Sequence, residues 1–430
     1  MENFLSPLKN AWKVPDLRKR LLMTFLFLMI YRVGVYIPVP GLSEQVLRRM
    51  AQGQGGLFGF INIIGGGAFE NASIFAMSIT PYINASIILE LLAVAIPALE
   101  RLRKEGEEGR RKLAQWVRYG TVILGFLQAT FMYIGFRDAI VKPGVLSFLT
   151  ITFALTAGTA FIMWLGEQIN EYGIGNGISL IIFVNIISRG PDGANVLYGI
   201  AKAYANEGKL AIGILVVAAI ILVFVAVIVF VIWVTQAERR IPVQYAKRVV
   251  GRKVYGGQST HIPIKVNVAG VMPIIFAMSF LAFLPTIIGF VAPNTTNRFL
   301  RWILEFQSSW LYMVVYALLI VFFTFFYTIV VFNPVELANN IKKNGGFIPG
   351  IRPGKPTSDY ITKVLNRVTW FGGVFLALVA VLPILLGFIT GIHNIWFGGT
   401  SVLIMVGVAL ETMQQIEAQL IMRHYKGFLE

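Results

Sequence analysis

Three ionisable side chains fall inside apolar stretches of this 430-residue chain: Arg32, Glu90 and Glu411. A charge held in hydrocarbon usually marks a proton relay, a substrate counter-ion or an ion path. These three sit on separate stretches, and none has a second carboxylate or a histidine beside it to receive a proton. His261, His393 and His424 are scattered over loops and tail, and cysteine is absent, which removes disulfides and thiolate metal sites. No Gly-x-x-x-x-Gly-Lys loop, His-Glu-x-x-His helix or Gly-x-Ser-x-Gly elbow occurs. The residues therefore offer no catalytic set, no metal ligands and no cofactor cradle, and the expectation is a protein that is not an enzyme.

The elements that carry these residues are membrane spans. Apolar residues make up 56% of the chain and charged residues 13%. Roughly 20 apolar residues cross a bilayer core, and runs of that kind lie near 21–37, 73–96, 119–136, 147–166, 174–188, 211–234, 268–292, 310–332, 368–391 and 398–416. The fold class expected is all-α polytopic membrane protein with ten transmembrane helices. The stretch 174–188 is short, and Gly166–Gly177 before it has no Lys or Arg. Deleting that span, however, would carry later basic loops across the membrane. Loops 1–20, 97–118, 235–265, 333–367 and 417–430 hold 27 of the 37 Lys and Arg. Basic residues stay on the cytosolic side during insertion, so both termini are expected there. The first apolar run ends in Ile37-Pro38-Val39-Pro40-Gly41 without a small-residue cleavage site and reads as a retained helix.

The spans differ in polarity. Those at 211–234 and 310–332 are almost uniformly apolar and suit lipid contact. Those at 73–96, 174–188, 268–292 and 398–416 carry or adjoin Thr80, Pro81, Asn84, Asn176, Asn185, Asn267, Pro273, Thr400 and Ser401. Polar groups in hydrocarbon need partners or water, so these four spans are expected to surround a central path. Gly53–Gly67 has seven glycines in fifteen residues, with Leu57, Phe60, Ile61 and Ile64 on one helical face. It fits either a loop on the membrane surface or a half-helix held in a cavity and free to leave it. In 235–265 two strands are expected around Gly251-Arg252 as a protruding hairpin. In 333–367 Pro334 starts a short helix that stops at Asn344-Gly345-Gly346. Projecting loops of this kind either dock a partner or serve as topological charge alone.

Several stretches, in order, resemble the SecY family, the channel-forming subunits of the bacterial protein-export translocon. They are IPVPGL at 37–42, SIFAMSITPYINASIILELL at 73–92, KEGEEGRRK at 104–112, MWLGEQINEYGIGNGIS at 163–179 and QYAKRVVGRKVY at 244–255. QSTHIPIKVNVAGVMPIIFA at 258–277, FNPVELANNIKKNGGFIPGIRPGKPT at 332–357 and FGGTSVLIMV at 397–406 follow. The resemblance implies two pseudo-symmetric five-helix halves, 21–200 with a plug at 53–67 and 201–417 with the loops 235–265 and 333–367. Cytosolic ends 1–20 and 418–430 flank them. It implies a pore ring of Ile79, Ile83, Ile178, Ile182, Ile275 and Ile404, and a plug carrying Leu57, Phe58, Phe60, Ile61 and Ile64. Spans two and seven become a lateral gate. Arg240, Lys247, Arg248, Arg252, Lys253 and Arg352 become docking points for the ribosome or the SecA motor ATPase. Glu90 departs from the glutamine often found in relatives.

By the same resemblance the chain is a protein-conducting channel of the bacterial inner membrane. It passes unfolded secretory proteins, releases apolar segments into membrane lipid, and works with the small subunits SecE and SecG. The 79/83 and 178/182 spacings place each pair on one helix face. An aliphatic ring resists wetting and makes no specific bonds to what passes it. The competing reading is a secondary transporter of a small solute, which also uses repeats and broken helices.

Overall fold

The computed structural model describes residues 11–53, 65–206, 208–245, 248–250, 253–255, 259–291, 297–306, 309–390 and 399–426. The first half carries α1 (Pro15–Gly34), α2 (Glu44–Gly53), α3 (Thr80–Ala95), α4 (Pro97–Lys104), α5 (Glu107–Gly135), α6 (Val145–Tyr172), α7 (Gly177–Ser188) and α8 (Gly190–Asn206). After α9 (Leu210–Gln236) come β1 (Glu238–Tyr245), β2 (Arg248–Val250), β3 (Lys253–Tyr255) and β4 (Ser259–Lys265). The chain continues with α10 (Met272–Val291), α11 (Arg298–Glu305), α12 (Trp310–Val331), α13 (Pro334–Lys343), β5 (Gly346–Phe347), α14 (Lys355–Thr390) and α15 (Gly399–Lys426).

Each of the ten apolar runs carries a helix. Among the described residues, α6, α9 and the helices that begin at Trp310 and Lys355 are long and apolar enough to cross a bilayer. The pair α3 and α4, bent by 101°, makes a fifth if taken as one span. The protein is a multi-pass membrane protein. The bend has a local cause: Ile96 is extended (φ −107°, ψ 115°) ahead of Pro97, and proline disfavours helical geometry in the residue before it.

Lipid contact follows composition for one of the two uniformly apolar spans. Only 6% of the most apolar window of α9 is buried. In α12, by contrast, Tyr316, Ile320, Phe323, Thr324 and Thr328 form a buried face that packs along α14. An all-apolar surface serves a lipid neighbour and a protein neighbour equally well, so composition alone did not separate the two.

The second apolar run is helical only from Thr80. Residues 65–79 are a chain of turns with left-handed Ala72 (φ 49°) and Ser78 (φ 53°). Non-helical backbone at this depth survives because protein satisfies it. Val39 N donates to Ala72 O at 2.8 Å and Ile74 N to Ile37 O at 3.0 Å. Ser73 Oγ donates to Gly34 O at 2.8 Å and accepts from Phe75 N at 3.1 Å. A Cβ on Gly158 of α6 would strike the Ile74 carbonyl, so the glycine makes room for the turns.

The two long loops, 235–265 and 333–367, form one unit. β1 pairs antiparallel with β4, from Glu238↔Lys265 to Gln244↔Ser259, and its other edge takes β5. β2 and β3 pair on either side of Gly251-Arg252, which themselves lie outside the described residues. Ile241, Val243 and Ile264 from the sheet share a small core with Ala338 and Ile341 of α13 and Ile361 and Leu365 of α14. α13 starts at Pro334 with Asn333 Oδ1 accepting from Glu336 N, and it ends where Asn344-Gly345 was expected to stop it. α14 begins at Lys355, ahead of its apolar run, because its first turns pack in this small core. The boundary expected at 200/201 lies inside α8 and that at 417/418 inside α15; helical propensity carries both through polar sequence.

Candidate functional site: an aliphatic constriction

Four helices deliver the six isoleucines from their first two turns. Ile79 is the residue preceding α3, not part of it, and its carbonyl accepts from Ile83 N at 3.1 Å. The expected helix face is therefore one capping turn, but the two side chains still emerge a turn apart. Ile178 and Ile182 lie in α7, whose start is fixed by Asn176: its Oδ1 accepts from Ile178 N and Ser179 N at 3.2 and 3.3 Å. Ile275 is in the first turn of α10, its N–H donating to Val271 O, and Ile404 is in the second turn of α15.

All six belong to or pack against one large hydrophobic cluster, which also holds the rings of Tyr31, Phe75 and Phe276. Ile79 is fully buried, Ile83, Ile182, Ile275 and Ile404 are each at most 5% exposed, and Ile178 packs against the cluster partly buried. The close approach of α6 and α7 depends on Gly177, where a Cβ would strike the Gly166 carbonyl. The isoleucine side chains offer methyl groups and no donor or acceptor. Asn84, Asn185, Asn267 and Ser279, from the same spans or their edges, are also buried, which is the interior placement their polarity required.

One side of the cluster is bounded by charges that sequence spacing did not connect. Arg32, the intramembrane charge of α1, donates from Nη1 to Gly66 O at 3.2 Å, and its guanidinium stands 5.8 Å from the Tyr36 ring centroid. Gly66 is left-handed (φ 60°), and a Cβ there would sit 2.5 Å from Asn185 Oδ1. Glu70 lies 3.5 Å from Arg48 Nε and 3.7 Å from Arg189 Nη2, and Arg189 also meets Asp192 at 3.4 Å. The turns at 65–72 are thereby tied to α1, α2 and the end of α7. These partners come from different elements, so no local periodicity reveals them. Leu57, Phe58, Phe60, Ile61 and Ile64 lie outside the described residues.

In β1 Arg240 is exposed and pairs with Glu238 at 2.7 Å. Arg352 is exposed, and its carbonyl accepts from Thr357 Oγ1 at 2.9 Å, which fixes the turn into α14. Arg248 and Lys253 fall in β2 and β3; Lys247 and Arg252 lie outside the described residues. Arg103 Nη2 donates to Val330 O and so ties α4 to the end of α12. A 2.6 Å hydrogen bond from Lys104, helped by that ammonium's charge, holds the Glu100 carboxyl below its ordinary range. Glu90 is half-buried in α3, and its Oε2 has no hydrogen-bond partner among the described residues. No group of three His, Cys, Asp or Glu placed to hold a metal occurs among the described residues.

Comparison with known proteins gives a consistent result. The SecY family model matches residues 73–413. The chain is 50% identical over 431 residues to the protein translocase subunit SecY of Halalkalibacterium halodurans, covering 98% of this chain and 99% of that one. Against the same subunit of Bacillus subtilis it is 47% identical with the same coverage. Among solved structures it is similar to one described as a protein conducting channel, with TM-score 0.66 and 19% identity over 94% of this chain and 93% of the other. It is also similar to Sec61 in the canine ribosome-channel complex, with TM-score 0.63 and 17% identity over 94% and 93%.

Proposed function

The chain belongs to the SecY family, and from that premise we propose that it is a protein-conducting channel, with the six-isoleucine cluster as its constriction. The observation that supports the reading is that these six side chains, delivered by α3 and the residue before it, α7, α10 and α15, all belong to or pack against one hydrophobic core. A path for chains of any sequence cannot bind particular side chains tightly. Methyl groups form no hydrogen bonds with a passing strand, and an empty aliphatic pinch dewets and blocks ions. Segment 53–67, of which 54–64 lie outside the described residues, is the plug of this reading.

Ten spans in two five-helix halves, with both termini in the cytosol, account for the ten helix-bearing runs and the 27 basic residues on one side. α3 and α10, one from each half, lie in contact and serve as the lateral gate. The core shared by the two loops carries Arg240 and Arg352, and these with Lys247, Arg248, Arg252 and Lys253 are the docking points for a ribosome or the SecA motor. SecE and SecG complete the assembly in the bacterial inner membrane, with secretory and membrane proteins as substrates.

A photoreactive side chain at Ile79 or Ile275 tests this in reconstituted vesicles. An arrested secretory precursor should crosslink to either position. Absence of any adduct, together with saturable uptake of a small solute, would overturn the channel in favour of a transporter.

A further inference from the structure

Helix α11 takes no part in the constriction, the gate or the cytosolic core. On the ten-span reading proposed above, on which this inference rests, it lies on the membrane face opposite the β-sheet: α10 leaves the sheet and ends at Val291, and α12 begins at Trp310 and returns to α13 and β5. The connection outside the two spans is residues 292–309, and α11 occupies eight of them. The helix is started by Asn297, whose Oδ1 accepts from Phe299 N at 3.0 Å. Ile303 is buried and Leu300 and Leu304 are half-buried, so one side faces its own protein.

The opposite side is unusual. Phe299 is 66% exposed and Trp302 51% exposed, their rings stacked with centroids 6.3 Å apart, and Arg298 and Arg301 are exposed beside them. Trp302 continues to Phe306 at 5.4 Å, and Phe306 to Tyr312 of α12 at 5.9 Å. A run of rings thus leads from the surface helix to the first turn of a span. Tryptophan and its kind collect where headgroups meet acyl chains, and guanidinium groups pair with phosphate oxygens through paired N–H donors. Aromatics and arginines on one face, at the level of a bilayer surface, match one partner chemistry.

We propose that α11 is a lipid anchor. It lies along the headgroup layer of the leaflet opposite the sheet, with Phe299 and Trp302 in the acyl boundary and Arg298 and Arg301 on the phosphates of anionic phospholipids. Such a helix fixes the depth of the α10 terminus and therefore the resting position of that span in the bilayer.

The absence of cysteine makes the test direct. Trp302→Cys, and separately Phe299→Cys, carries a single environment-sensitive fluorophore on the full chain in nanodiscs of phosphatidylcholine with or without phosphatidylglycerol. The anchor requires quenching by lipids brominated near the carbonyl and protection from aqueous iodide. Arg298→Glu, added to either labelled chain, removes a positive charge and adds a negative one, and should lower the preference for phosphatidylglycerol by more than the effect of one basic residue near an anionic surface, about fivefold. Iodide quenching without bromine quenching overturns the proposal by placing the face in water. Protection from both quenchers overturns it in favour of a covering protein. Identical behaviour in the two lipid compositions, with and without Arg298→Glu, overturns the role of anionic headgroups.

Discussion

An isoleucine contributes volume and apolar surface but no hydrogen bond, and it is this poverty that suits Ile83 and Ile182 to a seal. Replacing both with serine should keep the helices, because each residue lies on an intact backbone ladder, but it would let water into the pinch. Ion conductance of the reconstituted channel should rise; unchanged conductance would remove these residues from the seal. Asn176 acts differently, by accepting from the second and third amides of α7, Ile178 N and Ser179 N. Asn176→Ala should cost about 1 kcal/mol of stability, read as a lowered Tm in detergent, while Ile178 and Ile182 lose their fixed aim. Resemblance picked out the six isoleucines, but nothing in their local spacing distinguished them from ordinary packing. The Glu70, Arg48 and Arg189 cluster was invisible for a related reason: ion pairs across elements leave no period in the chain.

Helices with strong periodicity and marked ends were readable. Pro334 and Asn344-Gly345 bounded α13 as expected, and the alternation around Gly251-Arg252 gave two paired strands. The second apolar run misled because hydropathy reports solvent and not backbone geometry; residues 73–79 are as apolar as a helix but are turned by Ala72 and Ser78. The union of the two cytosolic loops was equally hidden, since β1 and β5 meet across two spans. That union makes a separable prediction for Arg352. Its side chain is exposed and only its carbonyl is used by the fold, so Arg352→Glu should reduce motor-driven export severalfold while thermal stability stays within about 0.5 kcal/mol. Equal loss of both would mean that the residue holds the loop and docks nothing.

At the scale of the whole molecule the question is what decides between crossing and sideways release. On the proposed function the push comes from a motor or ribosome, and the proposed gate between α3 and α10 would sort by partition alone. Each leucine in a passing segment favours lipid by about 0.5 kcal/mol, and one central arginine opposes it by about 3. The two balance at about six leucines. A series of test segments with one central arginine and increasing leucine count, offered to the reconstituted channel, should therefore shift from translocated to membrane-inserted about six leucines later than the arginine-free series. Glu90 lies on α3, one of the two helices of the proposed gate, half-buried and with its Oε2 unmatched among the described residues. Glu90→Leu makes the gate interior more apolar and should move both curves together, leaving their separation unchanged. A separation that collapsed in Glu90→Leu would mean that the gate reads charge through this carboxylate and not through lipid, and an insertion yield independent of leucine count would remove partition as the sorting principle.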